Sequence, residues 1–201
     1  MLADLDATLE ALLKRELPAA VVAGTAISFE PPDADFTTSG VTLPAIDLFL
    51  YDVRENAALR SNEWALEKPT NGAPVRHPPP TRVDCSYLVT AWASGQGPTP
   101  ARDEHRLLAE VLKVLVRVPF VPESLLVGEL NGQQPPLPMV RLSPEPLRNP
   151  ADLWQALDGK PKAALSLTVT AGVPSGLAVD AGPLVKERVV ELHQATRQPE
   201  D

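Results

Sequence analysis

The stretch Ala45-Ile-Asp-Leu-Phe-Leu-Tyr-Asp-Val-Arg-Glu-Asn56 decides how this chain is read. It is apolar on nearly both faces, interrupted only by Asp47 and Asp52, and runs into a polar, Asn-containing turn. A strand apolar on both sides lies inside a sheet and is covered on each face. Strand alternation points Asp47 and Asp52, five positions apart, to opposite faces and denies them a shared acid–base site. Asp52 is expected to end the strand by hydrogen-bonding into the Arg54–Asn56 turn.

Toward the N-terminus, Leu2, Leu5, Leu9, Leu12, Leu13 and Leu17 recur at spacings of three and four, the stripe of an amphipathic helix. Asp4 and Asp6 near its start and Lys14 and Arg15 near its end suit the helix dipole, and Pro18 stops it. Val21, Ala23, Thr25, Ile27 and Phe29 alternate as a half-buried strand that Pro31-Pro32 ends. Residues 33–42 read as an exposed polar loop. Residues 56–81 read as a long connection, with a short strand around Trp64–Leu66. Connections beyond about 12–15 residues in a compact domain are usually functional or flexible.

Toward the C-terminus, Val83–Trp92 forms a second strand, followed by a Ser-Gly-Gln-Gly-Pro loop. Thr99 is placed as the N-cap of a helix with Pro100 in its first turn. Leu107, Leu108, Val111, Leu112 and Leu115 form its buried stripe, Arg106 and Glu110 pair outside, and Pro119 ends it. Leu125–Leu130 and Met139–Leu142 read as short strands. A short helix opens at Asn149-Pro150, capped by Asn149 and ended by Gly159, with Leu153, Trp154 and Leu157 buried. Leu165, Leu167, Val169, Ala171 and Val173 alternate in the next strand, and Leu184–Leu192 forms the last. The pattern is that of an α+β (α/β) domain: a mixed, largely antiparallel sheet of about six or seven strands flanked by about three helices. One domain is expected over residues 1–195, with 196–201 a polar tail.

The composition narrows the class. A length of 201 residues with 44% apolar content allows one domain with a real core. The net charge of −8 argues against nucleic acid or an anionic membrane as partner, since both call for Lys/Arg clusters. The 23 prolines fall between the periodic segments and stiffen connections. Cys85 is the single cysteine, which rules out an internal disulfide and fits a reducing, cytoplasmic setting. A leader peptide is not expected from the first residues, and no run of about 18 apolar residues offers a membrane span.

The residue types that carry catalysis are present but not in catalytic patterns. Cys85 shares a strand face with Val83, Tyr87 and Val89, the setting of a buried, inert thiol. His105 falls on the exposed start of its helix. Gly172-Val-Pro-Ser-Gly176 has the wrong spacing for a nucleophile elbow, and no Walker or dinucleotide loop exists. Gly95-Gln-Gly97 has too few glycines and no lysine for an anion cradle and reads as a tight turn. His77, His105 and His193 are scattered, and Asp33-Ala-Asp35 does not continue as a calcium loop. Trp92 and Trp154 are expected in the core. No catalytic, cofactor-binding or metal-binding residue is assigned, and the chain is not expected to be an enzyme.

The order of segments carries a resemblance. The leucine-rich first helix is followed by Ile27-Ser-Phe-Glu-Pro-Pro-Asp33 and the 45–56 strand. Val83–Trp92 then precedes Asp103-Glu-His-Arg-Leu-Leu-Ala-Glu-Val-Leu112, and Asp152-Leu-Trp154 leads into Leu165–Val169. Over about residues 1–175 this set resembles the tail-terminator or cap proteins of phage-tail-like, extracellular contractile injection systems of the antifeeding-prophage type. Asn56 and Tyr87 fall at positions that match the family. The resemblance implies a structural subunit of a homo-hexameric ring that caps inner tube and sheath, stops their polymerisation and anchors the sheath end during contraction. It implies no catalytic residues, and tube and sheath proteins as partners. The 56–81 and 31–42 segments are then candidates for inter-subunit or tube contacts. The alternative from another class is a monomeric or dimeric adaptor or ligand-binding module.

Overall fold

The computed structural model describes residues 1–67, 74–95, 99–133, 136–142, 150–174 and 176–182. They divide into two compact units: Met1–Ser61 with Pro80–Val173, and a smaller one built on Asn62–Pro79 and the segment from Pro174 onward. The expected class is the one observed, with the strands shared between two sheets.

The larger unit begins with helix α1 (Leu2–Glu16), whose Leu5, Leu9, Leu12 and Leu13 are buried. The chain then departs from expectation. Instead of a strand from Val21, a short helix α2 (Ala19–Gly24) forms, with the amides of Val21 and Val22 both donating to the Pro18 carbonyl. Pro18 presets the first turn, and a run of alanine and valine suits one helical turn as well as an alternating strand. Only Ala26–Ser28 is extended, as β1.

Strand β2 (Ala45–Glu55) pairs parallel with β1 and antiparallel with β5 (Thr81–Trp92). β5 pairs in turn with β7 (Ala164–Val173), and β7 with the short edge strand β6 (Met139–Arg141), giving the order β1-β2-β5-β7-β6. Helix α3 (Pro100–Arg117) packs Leu108, Val111, Val114 and Leu115 beside α1. Together the two helices cover the sheet face that carries Ile46, Leu48, Cys85, Tyr87, Val89, Leu165, Leu167 and Val169. Removing such a buried leucine to alanine costs about 2–5 kcal/mol.

Two local expectations give way. Leu125–Leu130 is not a strand but two 3-10 turns, Glu123–Leu125 and Gly128–Leu130. Gly128 adopts φ of +56°, and a Cβ there would meet the Asp4 carboxylate at 2.5 Å, so an extended run is broken at a position that needs glycine. Thr99 stands at the N-cap of α3 as expected, its carbonyl accepting the Arg102 and Asp103 amides, though its side chain makes no cap bond, and Pro100 occupies the first turn. Arg106 pairs with Asp103 and Glu110 with Lys113, three residues apart, rather than with each other. The short helix appears as α4 (Pro150–Ala156), with Trp154 buried. The left-handed residue after it is Asp158, at φ of +50°. The Asn149 cap, His193 and the Leu184–Leu192 strand lie outside the described residues.

The smaller unit is a three-stranded antiparallel sheet, ordered β3 (Ala65–Glu67), β4 (Val75–His77), β8 (Val179–Asp180). β3 realises the short strand expected at Trp64–Leu66.

Candidate functional site

The candidate chemistry is dispersed. Cys85 is fully buried, and burial together with the nearby Asp84 and Asp6 charges pushes its thiol up to about 11, far from a reactive thiolate. His105 is exposed on α3, and His77 sits in β4 with its Nε2 2.7 Å from Glu67 Oε2. Among the described residues no three His, Cys, Asp or Glu side chains stand close enough to hold a metal ion. Gly95 turns at φ of +74° beside a cavity of about 270 Å³ near the start of α3. The charged groups there, Asp103 and Arg106, are spent on each other. Gln96 and Gly97 lie outside the described residues.

The two carboxylates of the 45–56 strand correct the parity argument. The β2–β5 register slips at Tyr51, where Leu50 faces Tyr87 and Asp52 faces Ser86, so one extra residue is accommodated as a bulge. Asp47 faces Thr90, an even number of residues from Ser86, and both carboxylates therefore emerge on the same face. They still form no dyad. Their partners are four residues apart on β5, about 13 Å along the strand. Asp52 pairs with Arg54, and Asn56, not Asp52, closes the turn by accepting the Leu59 amide.

Asp47 is wholly buried between Ser28 of β1 and Thr90 of β5, its cross-strand neighbours, with no hydrogen bond of ordinary geometry to either oxygen. Burial pushes its carboxyl up to about 8. The Glu30 charge pushes the same way, and the nearby Ser28 and Thr90 hydroxyls and Glu30 amide pull against it.

The cover over this end of the sheet is aromatic and cationic. Phe36, from the loop expected to be exposed, is fully buried and stacks on Trp92 with ring centroids 4.2 Å apart. An apolar ring drawn into place anchors an otherwise polar loop, which the polarity of residues 33–42 concealed. Lys162 Nζ lies 3.6 Å from the Trp92 ring centroid and 3.0 Å from Glu104 Oε1. Burial lowers the Lys162 ammonium, and Glu104 holds it up.

Asn56 and Tyr87 prove to be tie points. Asn56 Nδ2 donates to Asp84, and Thr170 Oγ1 donates to the same carboxylate at 2.6 Å. Tyr87 Oη donates to Asp6 Oδ1 at 2.8 Å and fastens α1 to β5. No sequence motif announces these pairs, because each joins residues far apart in the chain.

What the chain offers outward is surface. Among the described residues β1 and β6 stand at the edges of the sheet, and Phe120, Val140 and Leu142 at the β6 end are each about half exposed. No helix among the described residues is long and apolar enough to cross a membrane. A family model described as the Pvc16 N-terminal domain matches residues 4–187.

The chain belongs to the Pvc16 N-terminal domain family. Among solved structures, this family member is similar to a sheath/tube terminator of the extracellular contractile injection system PVC, in its extended state. The TM-score is 0.67 at 21% identity, over 98% of this chain and 64% of the other. It is also similar to the tube-terminating cap of the anti-feeding prophage, with a TM-score of 0.63 at 22% identity over 96% of this chain and 62% of that one. The chain thus spans somewhat under two thirds of the length of these relatives. No curated protein matches it. The resemblance to the tail-terminator family is borne out by the family match and the fold.

Proposed function

We propose that the chain is the structural cap of a contractile, phage-tail-like injection particle. In this reading six copies close into a ring in the cytoplasm, end the polymerisation of inner tube and sheath, and anchor the sheath end during contraction. Both units act together as one terminator subunit over residues 1–195. The observation that carries the reading is a fold shared over nearly the whole chain with a sheath/tube terminator and a tube-terminating cap. The dispersal of its reactive side chains supports a role without catalysis.

A closed ring needs two different surfaces per subunit whose rotation closes after a fixed number of copies. Stiff connections lose little entropy on docking, and the 23 prolines supply them. Native mass spectrometry of the chain, alone and with the tube and sheath proteins of its particle, tests the reading. A six-fold ring and tubes of limited length are expected. Deletion of residues 70–80, which removes β4, should leave the larger unit folded and abolish the ring. A monomer that leaves tube growth unchanged overturns the proposal in favour of an adaptor module.

A further inference from the structure

The small three-stranded sheet has two unlike faces. Leu66 faces Arg76 across β3–β4, and Arg76 faces Val179 across β4–β8, so these three side chains share one side. Trp64 and Leu177 each lie two residues before a member of that row, just outside the strands. All are exposed, Trp64 at 51% and Leu177 at 89%. The other side carries Ala65, Glu67, Val75, His77 and Asp180, where the His77–Glu67 pair lies. One face thus sets Leu66 and Val179 on either side of a guanidinium that pairs with no carboxylate among the described residues, with the exposed Trp64 and Leu177 adjoining in the chain. An isolated small sheet is marginal in water, and clustered exposed Trp, Leu and Val mark a surface that is covered in use. Trp and Arg are also the residues that most often dominate binding energy.

The larger unit carries a surface of matching character. Phe120, Val121, Pro122, Leu126 and Pro136 line a cavity of about 240 Å³ with Glu123 at its rim. Phe120 is half exposed, and the exposed Glu123 carboxylate pairs with no cation among the described residues. An apolar face centred on a cation fits an apolar cleft rimmed by a carboxylate. Arg beside apolar surface is desolvated on docking and must then meet a carboxylate. With Asp and Glu numbering 26 against 18 Lys and Arg, the chain is itself an acidic partner for such a face.

We propose that the Leu66–Arg76–Val179 face of one copy, with the adjoining Trp64, docks into the Phe120–Glu123 cleft of a second copy, with Arg76 paired to Glu123. Donor and acceptor surfaces differ, so the contact is head-to-tail and propagates until it closes. The inference deepens the ring proposed above and rests on that reading for closure.

Charge exchange tests it by native mass spectrometry and sedimentation of the full chain, alone and with its tube and sheath proteins. Arg76→Glu and Glu123→Arg are each expected to weaken self-association at least about 30-fold, because each sets like charges together at a buried pair. Mixing the two variants, or combining both changes in one chain, restores assembly, since every contact again joins opposite charges. Trp64→Ala weakens it as well. Circular dichroism and thermal melting of each variant should match the unsubstituted chain, which separates lost docking from lost fold. Rings insensitive to both exchanges overturn the docking and leave the ring reading standing. Single defects that the mixture does not repair overturn the Arg76–Glu123 pairing. Binding to tube or sheath protein lost in Arg76→Glu but kept in Glu123→Arg assigns the face to that protein instead. A chain that never self-associates under any of these conditions overturns ring and docking together.

Discussion

Asn56 Nδ2 lies 3.0 Å from each carboxylate oxygen of Asp84, tying the end of β2 to the strand beside it. The same side chain accepts the Leu59 amide through Oδ1, and its backbone amide donates to the Arg82 carbonyl. One residue therefore closes the turn and fixes where the connection to the small sheet departs. Asn56→Ala removes a charge-assisted donor and a cap together and is expected to cost about 2–4 kcal/mol by chemical denaturation. Asn56→Asp should cost more at neutral pH, because two carboxylates then face each other. An Asn56→Asp chain as stable as the unsubstituted one would show that the Asn56–Asp84 contact is not formed in solution.

Asp47 sets a pH dependence in the unsubstituted chain. Its folded carboxyl holds a proton to about 8 against an ordinary value of 3.8, because burial penalises the charge. The unfolded chain gives up this proton near pH 4, so between about pH 4 and 8 each rise in pH favours unfolding by up to about 1.4 kcal/mol per unit. The cost accumulates to the order of 5 kcal/mol by pH 8, with Glu30 adding to it and Lys162 easing it. Asp47→Asn keeps the shape and removes the ionisation. It is expected to stabilise the chain by several kcal/mol at pH 8 and by almost nothing at pH 4, read from thermal unfolding across that range. Equal stabilities at pH 8 would mean that the carboxylate is better solvated than its burial implies.

Much of this was legible from the chain and some was not, for physical reasons. The leucine stripe of α1 and the alternation of β7 are local periodicities that tertiary packing reinforces and appear where the pattern puts them, while the two-faced burial of β2 holds only over Ala45–Leu48 and gives way to exposure by Val53. The parity of Asp47 and Asp52 was misjudged because a bulge at Tyr51 adds one residue to β2 only, and bulges leave little trace in composition. The 3-10 turns at 123–130 were misjudged because Gly128 sits against Asp4, a contact 124 positions distant in sequence. Phe36 shows the same limit, since a single ring in a polar loop gives no period to read. The outward-facing residues were the least legible. Leu66, Arg76 and Val179 meet on one face only once β4 pairs with both neighbours.

Tyr87 is the polar anchor of an otherwise apolar helix contact. Its Oη donates to Asp6, whose carboxyl is raised by burial and drawn back down by this bond. Tyr87→Phe leaves that carboxylate half-buried without its donor and is expected to cost about 1–3 kcal/mol. The loss should be larger at neutral pH than in acid, where a protonated Asp6 no longer needs the bond. Denaturant melts at pH 7 and pH 4 check both sign and trend.

Gln133 shows how the sheet is finished beyond the reach of its last strand. β6 pairs with β7 only from Leu167 to Val169, and past it the Pro138 carbonyl accepts the Thr170 amide. At the next free position the Gln133 side chain takes over: its Nε2 donates to the Gly172 carbonyl at 2.7 Å, and its Oε1 accepts the Gly172 amide at 2.9 Å. A side-chain amide has the donor and acceptor of a backbone peptide and so stands in for a strand at an otherwise open edge. Gln133→Ala frees both backbone groups and is expected to cost about 1–2 kcal/mol. Gln133→Glu keeps the shape but replaces the donor with a second acceptor against the Gly172 carbonyl, and should cost at least as much. Hydrogen exchange gives the local reading: the Gly172 amide should lose protection in Gln133→Ala while the Cys85 and Val89 amides of β5 keep theirs. Unchanged protection at Gly172 would show that the edge is closed by something other than this side chain.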